Sequence, residues 1–253
     1  MKIVCLGSGN VATHLMVALK NAGKEILQVW SRDISHARKL ATLVDAVATD
    51  NLEDVSKSAD LYLIAVKDDS IAQVSERLKG VGGLVVHTSG ATDLDVLERL
   101  DNFGVFYPLQ TFSKSKPVDL SATPFCLEAN SDSSYAVLQT LTQAIGAPAY
   151  QVDSAQRKTL HVAAVFASNF SNHLYHLAYT ILEGDNLPFD LLRPLILQTA
   201  LKVQRDLPLD VQTGPALRDD RLTMQKHVHL LKALPELQAL YETLSNSIKK
   251  TYL

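Results

Sequence analysis

A glycine-rich turn directly after the first apolar segment constrains the fold of this chain more than any other feature. The segment Lys2–Leu6 is followed by Gly7, Gly9 and Ala12 in the pattern G-x-G-x-x-A. Such a turn joins a buried strand to a helix and lets the backbone approach a pyrophosphate at the helix N-terminus. A tight turn that binds nothing has the same sequence pattern, so the elements around the turn decide what it predicts.

Short apolar segments alternate with helical patterns up to about residue 152, which is typical of strands joined by helical crossovers. The near-continuous apolar character of the first, third and fourth segments indicates strands buried on both faces. We therefore predict an α/β fold with a Rossmann-type, doubly wound, mainly parallel sheet. Its predicted strands are Lys2–Leu6, Ile26–Trp30, Leu61–Val66, Leu84–His87, Val105–Tyr107, Phe125–Leu127 and Ala149–Val152.

The residues after Asp153 show helical spacing only, in segments of roughly 155–183, 190–206, 219–233 and 235–250. Two domains follow from this change of pattern. We predict a Rossmann-like, dinucleotide-binding domain over residues 1–152 and an all-helical domain over residues 153–253.

Composition and charge narrow the classes of partner. The 253 residues include 24 basic and 27 acidic side chains, without the basic excess of a protein that binds nucleic acid or anionic membranes. The longest apolar run, Val162–Ala167, is far too short to span a bilayer. Two cysteines in apolar stretches, Cys5 and Cys126, indicate neither a disulfide framework nor a cysteine metal site. Because the charge does not favour nucleic acid or membranes, we expect a small-molecule substrate. Because the N-terminus begins a strand rather than a signal region, we expect a cytoplasmic protein.

The end of the second predicted strand distinguishes the two nicotinamide cofactors. An acidic side chain there accepts hydrogen bonds from the ribose of NAD, whereas an arginine accommodates the 2′-phosphate of NADP. Here the sequence reads Ser31-Arg32, which favours NADP(H) over NAD(H) because a guanidinium forms charge-assisted hydrogen bonds with phosphate. Asp33 leaves an alternative open, since it would bind the ribose if the strand ended one or two residues later.

Polar residues follow the later strands, and functional groups in an open parallel sheet collect at these carboxyl ends. The predicted contacts are Val66 and Lys67 beside the nicotinamide, Thr88 and Ser89 with their hydroxyls and backbone amides, and Gly90 and Gln110 beside the substrate. The alternative is that Asp68, Thr88 and Ser89 cap helices. For Asp68 and Asp69 we favour the cap.

A line of polar residues crosses the otherwise apolar segment Thr159–Leu182. At about 100° per residue, Ser168 and Asn172 lie about 20° to either side of His161 on a helix surface, with Asn169 nearby. We expect this line to face a ligand cleft between the domains or, alternatively, a polar seam between helices or subunits. His161 is the predicted proton donor, and Ser168, Asn169 and Asn172 would orient the substrate oxygen.

A second anion-binding group is predicted in the turn after Gly214. Arg218 would bind a substrate carboxylate or phosphate there, or alternatively pair with Asp219 or Asp220 on the surface. No metal site is predicted, because His173 and His176 lack a further ligand at a suitable spacing.

Seven motifs spread over nearly the whole chain form a specific combination. They are Gly7-x-Gly9-Asn10-x-Ala12, Ser31-Arg32, Ala65-Val66-Lys67-Asp68, His87-Thr88-Ser89-Gly90, Tyr107-Pro108-Leu109-Gln110-Thr111, His161-x-x-Ala164 with Ala167-Ser168-Asn169-Phe170, and Thr213-Gly214-Pro215-Ala216 with Arg218 and Asp220. Together they resemble a bacterial family of NADP oxidoreductases with a Rossmann-like half and a helical domain of unknown function. More distantly the chain is similar to the 6-phosphogluconate dehydrogenase-like superfamily, which includes β-hydroxyacid dehydrogenases, pyrroline-5-carboxylate reductase, ketopantoate reductases and prephenate dehydrogenase.

The resemblance implies roles for individual residues. It places the pyrophosphate at the turn of Gly7, Ser8, Gly9, Asn10 and Val11, the 2′-phosphate at Ser31 and Arg32, and the nicotinamide at Val66 and Lys67. β-Hydroxyacid dehydrogenases carry a catalytic lysine four residues before an asparagine on the long helix, where this chain has Ser168 before Asn172. Either His161 or Lys158 then transfers the proton, or the protein binds cofactor without turning over a hydroxy acid.

We therefore expect an NADP(H)-dependent oxidoreductase that transfers hydride to or from a small, anionic carbonyl, hydroxy or imine metabolite. A homodimer through the helical domain is expected as well, because the relatives dimerise there. The alternative from another class is a non-catalytic NADP(H)-binding sensor or partner protein, which needs the glycine turn and Arg32 but not the polar line. A helical assembly scaffold would bind no nucleotide.

Overall fold

An eight-stranded sheet forms the first part of the protein, whose computed structural model describes residues 1–113, 116 and 118–252. The strands are β1 Lys2–Leu6, β2 Glu25–Trp30, β3 Val47–Thr49, β4 Leu61–Ile64, β5 Leu84–His87, β6 Phe103–Pro108, β7 Phe125–Ala129 and β8 Ala149–Gln151. Their order in the sheet is β3-β2-β1-β4-β5-β6-β7-β8, and the β6–β7 pair is antiparallel while the other pairs are parallel. The predicted α/β fold with a mainly parallel sheet is confirmed.

All seven predicted strands are present, with ends that differ from the prediction by at most two residues. The sequence analysis did not predict the eighth strand, β3, which has three residues at the edge of the sheet and an exposed first residue, Val47. Such a short, partly exposed strand has no apolar segment to mark it in the sequence. Buried positions throughout β4 and β5, and in β1 after Lys2, match the predicted burial on both faces.

Helices cover both faces of this sheet because successive side chains of a strand point to opposite sides. Ile3 of β1 belongs to the same buried cluster as Leu15 of the first helix, whereas Val4 belongs to the cluster that contains Val74. The helices are α1 Asn10–Asn21, α2 Ile34–Val44, α3 Ile71–Glu76 and α4 Asp132–Ala144, with 3₁₀ turns at Leu52–Asp54, Asp68–Ser70, Leu94–Leu97 and Leu120–Ala122.

The rest of the chain is helical, as predicted. Its helices are α5 Ser154–Ala164, α6 Ser171–Gly184, α7 Arg193–Lys202, α8 Arg221–Leu230 and α9 Pro235–Tyr252, with 3₁₀ turns at Phe189–Leu191 and Leu231–Ala233. The expectation of one uniform helix over residues 155–183 is corrected, because a π-helical segment, Val165–Phe170, separates α5 from α6. None of the helices in the described residues is long and apolar enough to cross a membrane.

Contacts divide the chain into two units, Met1–Asn169 and Phe170–Leu253. The change from strands to helices at residue 153 therefore lies inside the first unit, and α5 groups with the sheet. The physical reason is an anchor at the first turns of α5.

That anchor is Arg157, whose side chain is fully buried. Its guanidinium forms an ion pair with Glu128 of β7 and donates to the carbonyl oxygen of Thr92 at 2.6 Å and to Oγ of Ser154 at 3.1 Å. Glu128 also accepts hydrogen bonds from the backbone N–H of Ser154 at 3.0 Å and from its hydroxyl at 2.8 Å. We call these four residues the α5 anchor; they join β7, the segment after β5 and the start of α5.

Replacing Arg157 with methionine is expected to lower the free energy of unfolding by about 3 kcal/mol or more, because the carboxylate of Glu128, only 16% exposed, would lose its cation. Arg77→Met is the matched control: Arg77 pairs with Glu53 at 2.7 Å on the surface, and its loss is expected to cost about 0–1 kcal/mol. Urea unfolding measures both variants, and equal effects would contradict the role given to the α5 anchor.

Candidate functional site

A cleft of about 780 Å³ opens at the carboxyl ends of β1, β4 and β5, and all the residues that line it belong to the first unit. Strand order reverses between β1 and β4, since the chain goes from β1 to β2 on one side and later returns to β4 on the other. The carboxyl ends of the strands at such a reversal are where open α/β sheets bind ligands.

The glycine turn forms one wall of this cleft. Gly7 has a φ of 127°, and a Cβ on it would lie 2.1 Å from the carbonyl oxygen of Ala65. Its backbone N–H donates to the carbonyl oxygen of Trp30 at 2.8 Å. The turn is therefore packed between β2 and the end of β4, and only glycine fits at position 7.

The N-terminus of α1 faces open space at the same wall. Gly9 is the N-cap, with no side-chain cap, and the first turn of α1 carries no acidic residue. A Cβ on Gly9 would meet no atom of the described residues within 4 Å. The first amide N–H groups of a helix lack partners inside the helix, so this end of α1 can bind a diphosphate.

The end of β2 borders the cleft beside this turn. The hydroxyl of Ser8 donates to Oγ of Ser31 at 2.9 Å, and both residues line the cleft together with the exposed Arg32. Asp33 instead caps α2, because its carboxylate accepts a hydrogen bond from the backbone N–H of Ser35 at 2.8 Å. Hydrogen bonds from Ser35 lower the pKa of Asp33. Asp33, the alternative residue for binding the ribose, therefore caps α2 instead.

Val66 and Lys67 line the cleft at the end of β4, as do Asp68 and Ser70. The favoured interpretation of Asp68 and Asp69 as helix caps is wrong, because the N-cap residues here are Lys67 and Ser70, without side-chain caps. Asp69 accepts a hydrogen bond from the hydroxyl of Ser70 at 3.0 Å. The carboxylate of Asp68 is exposed on the cleft wall.

The segment after β5 brings Thr88, Ser89 and Gly90 into the cleft. Oγ of Ser89 accepts hydrogen bonds from the backbone N–H groups of Ala91 and Thr92 at 3.1 and 3.0 Å. The hydroxyl of Ser89 thus caps the backbone N–H groups of the turn that follows it, in line with the capping role given as its alternative.

Gln110 lies apart from this group. Its side chain is exposed and its carbonyl oxygen accepts a hydrogen bond from the backbone N–H of Thr111 at 2.8 Å. Because the side chain folds back on its own loop, Gln110 is not one of the described residues that line the cleft.

Two residues from different elements meet at the inner part of the cleft. His161 lies on α5 four residues after Arg157, hence on the same helix face, and its Nδ1 is 3.0 Å from the hydroxyl of Tyr107 on β6. Burial is the main reason why the pKa of Tyr107 rises to about 12. A Cβ on Gly90 would lie 2.6 Å from Nδ1 of His161 and 2.7 Å from Cζ of Tyr107, so the pair packs directly on the backbone of Gly90.

Tyr107 and Arg157 are the site residues that the sequence analysis missed. Tyr107 was read as the end of a strand, although the carboxyl end of a parallel strand is where a functional side chain is expected. For Arg157, the spacing of four residues to His161 was the only available signal.

A fully buried histidine supports the segment that contains Gly90. Nδ1 of His87 accepts a hydrogen bond from the backbone N–H of Ser89 at 3.2 Å, so Nε2 carries the proton and donates to the carbonyl oxygen of Asp93 at 3.3 Å. Burial, with a smaller effect of Arg157, lowers the pKa of His87 to about 4. The imidazole is therefore neutral near pH 7.

The other members of the predicted polar line do not join His161 at the described cleft wall. Ser168 and Asn169 lie in the π-helical segment, whose i→i+5 hydrogen bonds turn the chain by less than 100° per residue. The assumption of a uniform α-helix therefore fails from Val165 onwards. Asn172 lies in the second unit, where it lines a separate cleft of about 600 Å³.

Lys158, the alternative proton donor, forms an exposed ion pair with Asp93 at 2.6 Å. Arg218 is exposed in the second unit and forms no ion pair with another described residue. The alternative of surface pairing with Asp219 is wrong, because that carboxylate binds Arg221 at 3.0 Å and Lys249 at 2.5 Å. Asp220 caps α8 by accepting hydrogen bonds from Thr223, which lower its pKa, and the charge of Arg218 lowers it further without an ion pair. In the described part of the chain, no three His, Cys, Asp or Glu side chains are placed to hold a metal ion.

Comparisons with known proteins identify both parts of the chain. A model of a Rossmann-like domain matches residues 1–111, and a model of the domain of unknown function DUF2520 matches residues 123–248. A comparison with curated proteins finds no match.

Solved structures match over the full length. The chain is 43% identical to a "putative NADP oxidoreductase" from Bacteroides fragilis, with 98% of each chain covered and a TM-score of 0.93. An imine reductase from Myxococcus stipitatus in complex with NADP⁺ matches at 17% identity, with 99% of this chain and 92% of that chain covered and a TM-score of 0.63. A 1-pyrroline-5-carboxylate reductase from Streptococcus pyogenes matches at 14% identity, with 99% and 98% covered and a TM-score of 0.65. These last two share the fold.

A pair of glycine variants separates the two demands on the turn. Gly7→Ala is expected to destabilise the fold by at least about 2 kcal/mol, because its Cβ meets the backbone of Ala65 at a positive φ. Gly9→Ala is expected to leave thermal stability nearly unchanged, since its Cβ enters open space. That same space is where a diphosphate would approach, so Gly9→Ala should weaken NADPH binding. Thermal melting and NADPH titration of both variants test this; equal stability of the two would contradict the packing described at Gly7.

The free energy of unfolding is expected to fall as the pH drops from about 6.5 towards 4. His87 titrates near its ordinary value of 6.5 in the unfolded chain but at about 4 in the folded protein, so only the unfolded chain takes up the proton in this range. The shift corresponds to a loss of about 3 kcal/mol. His87→Gln should flatten this pH dependence, whereas the exposed His36→Gln should not. Urea unfolding at several pH values measures it, and an unchanged slope in His87→Gln would contradict the assignment.

Proposed function

The chain belongs to the family that joins a Rossmann-like domain to the domain of unknown function DUF2520, and we propose that it is an NADP(H)-dependent oxidoreductase. Its proposed substrate is a small carbonyl, hydroxy or imine metabolite. One observation carries this proposal: the glycine turn and the imidazole of His161 line the same cleft. This supports the proposal, because a turn suited to a dinucleotide and a group that can move a proton then share one cleft.

The residues of the cleft fit a dinucleotide. The uncapped N-terminus of α1 and the open space at Gly9 suit the diphosphate. Ser31 and the guanidinium of Arg32, which is exposed and forms no ion pair with another described residue, suit the 2′-phosphate of NADP(H), and Asp33 is engaged as a helix cap. Val66 and Lys67 at the end of β4, with Thr88 at the end of β5, would border the nicotinamide. The descriptions of the Bacteroides fragilis and Myxococcus stipitatus proteins, which name NADP, support this choice.

The bound cofactor would supply or accept a hydride, which leaves the protein to position the substrate and to move one proton. His161 is the group in the cleft suited to that transfer, since imidazole exchanges protons near neutral pH. The roles predicted for Ser168, Asn169, Asn172 and Arg218 stay predictions from the sequence, since none of these residues lines the cleft in the described part of the chain. The Streptococcus pyogenes and Myxococcus stipitatus proteins reduce carbon–nitrogen double bonds according to their names, which favours including imines among the substrates tested.

His161→Ala tests the proposed enzyme directly. We expect it to bind NADPH as the wild type does but to lose turnover by about 10²–10⁴-fold, the usual contribution of general acid catalysis. NADPH oxidation is measured with a panel of 2-oxo acids, including ketopantoate, and of cyclic imines. His229→Ala, in the second unit and exposed, is the control and should keep full turnover.

If the wild type binds NADPH but oxidises it with no member of the panel, and His161→Ala retains the function in cells, the protein is a non-catalytic NADP(H)-binding protein. Failure of the wild type to bind NADPH would contradict both functions.

We also propose a homodimer through the second unit, because that unit exposes an unusual amount of apolar surface. Its described residues include only three buried hydrophobic side chains, Ala216, Met224 and Leu231. Leu195 and Leu197 of α7 are 63% and 60% exposed. A monomer rarely leaves so large an apolar surface in water, and a second copy with the same surface would cover it.

Light scattering after size exclusion is expected to give twice the chain mass. Leu195→Glu should shift the protein towards the monomer, because a charge in an apolar interface is costly to bury. Leu43→Glu is the matched control, since Leu43 of α2 is equally exposed at 62% but lies in the first unit. A monomeric wild type, or equal behaviour of the two variants, would contradict the dimer proposal.

A further inference from the structure

We propose that Tyr107 is a positioning residue for His161: its hydroxyl holds Nδ1, so that Nε2 is the nitrogen that exchanges a proton with the substrate. This inference rests on the proposed function for its meaning in catalysis. The geometry on which it depends belongs to the protein alone, so it can be tested without a substrate.

The first argument is the placement of the two rings. The hydroxyl of Tyr107 and Nδ1 of His161 are 3.0 Å apart, and the rings meet edge to face at 68°. Among the described residues, Nε2 has no hydrogen-bond partner, and His161 lines the cleft. The two nitrogens of the imidazole therefore have different surroundings, one bonded to the protein and one left for a ligand or water.

The second argument gives the direction of the hydrogen bond. Tyr107 is 9% exposed, and Nδ1 of His161 is the one acceptor within hydrogen-bond distance of its hydroxyl among the described residues. If Nδ1 carried the proton, this mostly buried hydroxyl would have no acceptor in the described part of the chain for its own proton, which costs free energy. The raised pKa of Tyr107 keeps that hydroxyl protonated. In neutral His161 the proton therefore sits on Nε2.

The third argument is that a phenol can keep this bond when His161 changes its charge. A hydroxyl donates to the bare Nδ1 of the neutral ring and accepts from the N–H of the charged ring, whereas a carboxylate could only accept. In the reducing direction, the imidazolium releases its Nε2 proton to the oxygen or nitrogen of the substrate as hydride reaches the adjoining carbon. The N–H bond of Nε2 breaks and the new O–H or N–H bond forms, which leaves the remaining ring proton on Nδ1, donated to the hydroxyl oxygen of Tyr107. Nε2 then takes a proton from water, which restores the imidazolium.

The surroundings of the pair leave it little freedom. Arg157 fixes α5 one turn before His161, and the backbone of Gly90 lies against both rings. A Cβ at position 90 would lie 2.6 Å from Nδ1 and 2.9 Å from the hydroxyl oxygen of Tyr107. Gly90→Ala therefore separates the two groups while keeping both in the protein.

Nitrogen-15 NMR of the histidine rings tests the inference in the full-length protein. In the wild type at a pH where His161 is neutral, we expect the proton mainly on Nε2. In Tyr107→Phe the ratio of the two tautomers should fall about fivefold, the effect of a hydrogen bond worth about 1 kcal/mol. Tyr150→Phe, at an exposed position on β8, should leave the ratio as in the wild type.

Gly90→Ala should also reduce the ratio of the two His161 tautomers, and it keeps the hydroxyl of Tyr107 in the protein. It therefore tests the inference even if Tyr107→Phe folds poorly. A wild type with the proton on Nδ1 would overturn the inference whatever the variants do, and so would unchanged tautomers in both variants. NADPH titration of the same samples reports on the proposed function separately. Loss of NADPH binding with the expected tautomers would overturn the function but not the positioning role.

Discussion

The candidate site depends on one buried ion pair, between Arg157 of α5 and Glu128 of β7. Removing two charges from water is costly, and the cost is offset here because the carboxylate and the guanidinium are both hydrogen-bonded further, to Ser154 and to the carbonyl oxygen of Thr92. The pair does more than attach a helix. It ties the strand β7, the segment after β5 and α5 together at one point, and His161 follows one helical turn later on the same face.

The position of α5 explains how a cleft at the carboxyl ends of the inner strands β1, β4 and β5 acquires an imidazole. The glycine turn, the end of β4 and the end of β5 provide backbone amides, hydroxyls and charged groups, which suit a dinucleotide. His161 comes from a helix beyond the last strand, and contacts group this helix with the sheet rather than with the later helices. The same contact explains why position 90 is a glycine, because only a residue without a side chain lets Tyr107 and His161 approach each other there.

The sequence predicted the fold and the packed glycine turn better than the inner end of the cleft. Strand burial and the G-x-G-x-x-A turn are local patterns, so β1, β4, β5 and the packing of Gly7 follow from short segments. The π-helical segment Val165–Phe170 has no such signature. Because its residues do not turn by 100° each, the prediction that Ser168 and Asn172 share a helix face with His161 was wrong. Arg157 and Tyr107 were missed because their roles come from contacts across 29 and 54 residues of sequence. Only the folded chain reveals such contacts.

The most direct test of the central claim is a calorimetric titration of cofactor-free protein with NADPH and, separately, with NADH. The account predicts that NADPH binds at least tenfold more tightly, a difference of about 1.4 kcal/mol. In Arg32→Ala this preference should disappear, whereas Arg38→Ala, an exposed arginine of α2 outside the cleft, should keep it. NADH that binds as tightly as NADPH would contradict the role of Ser31 and Arg32. If neither nucleotide binds, the glycine turn is structural and the oxidoreductase proposal is wrong.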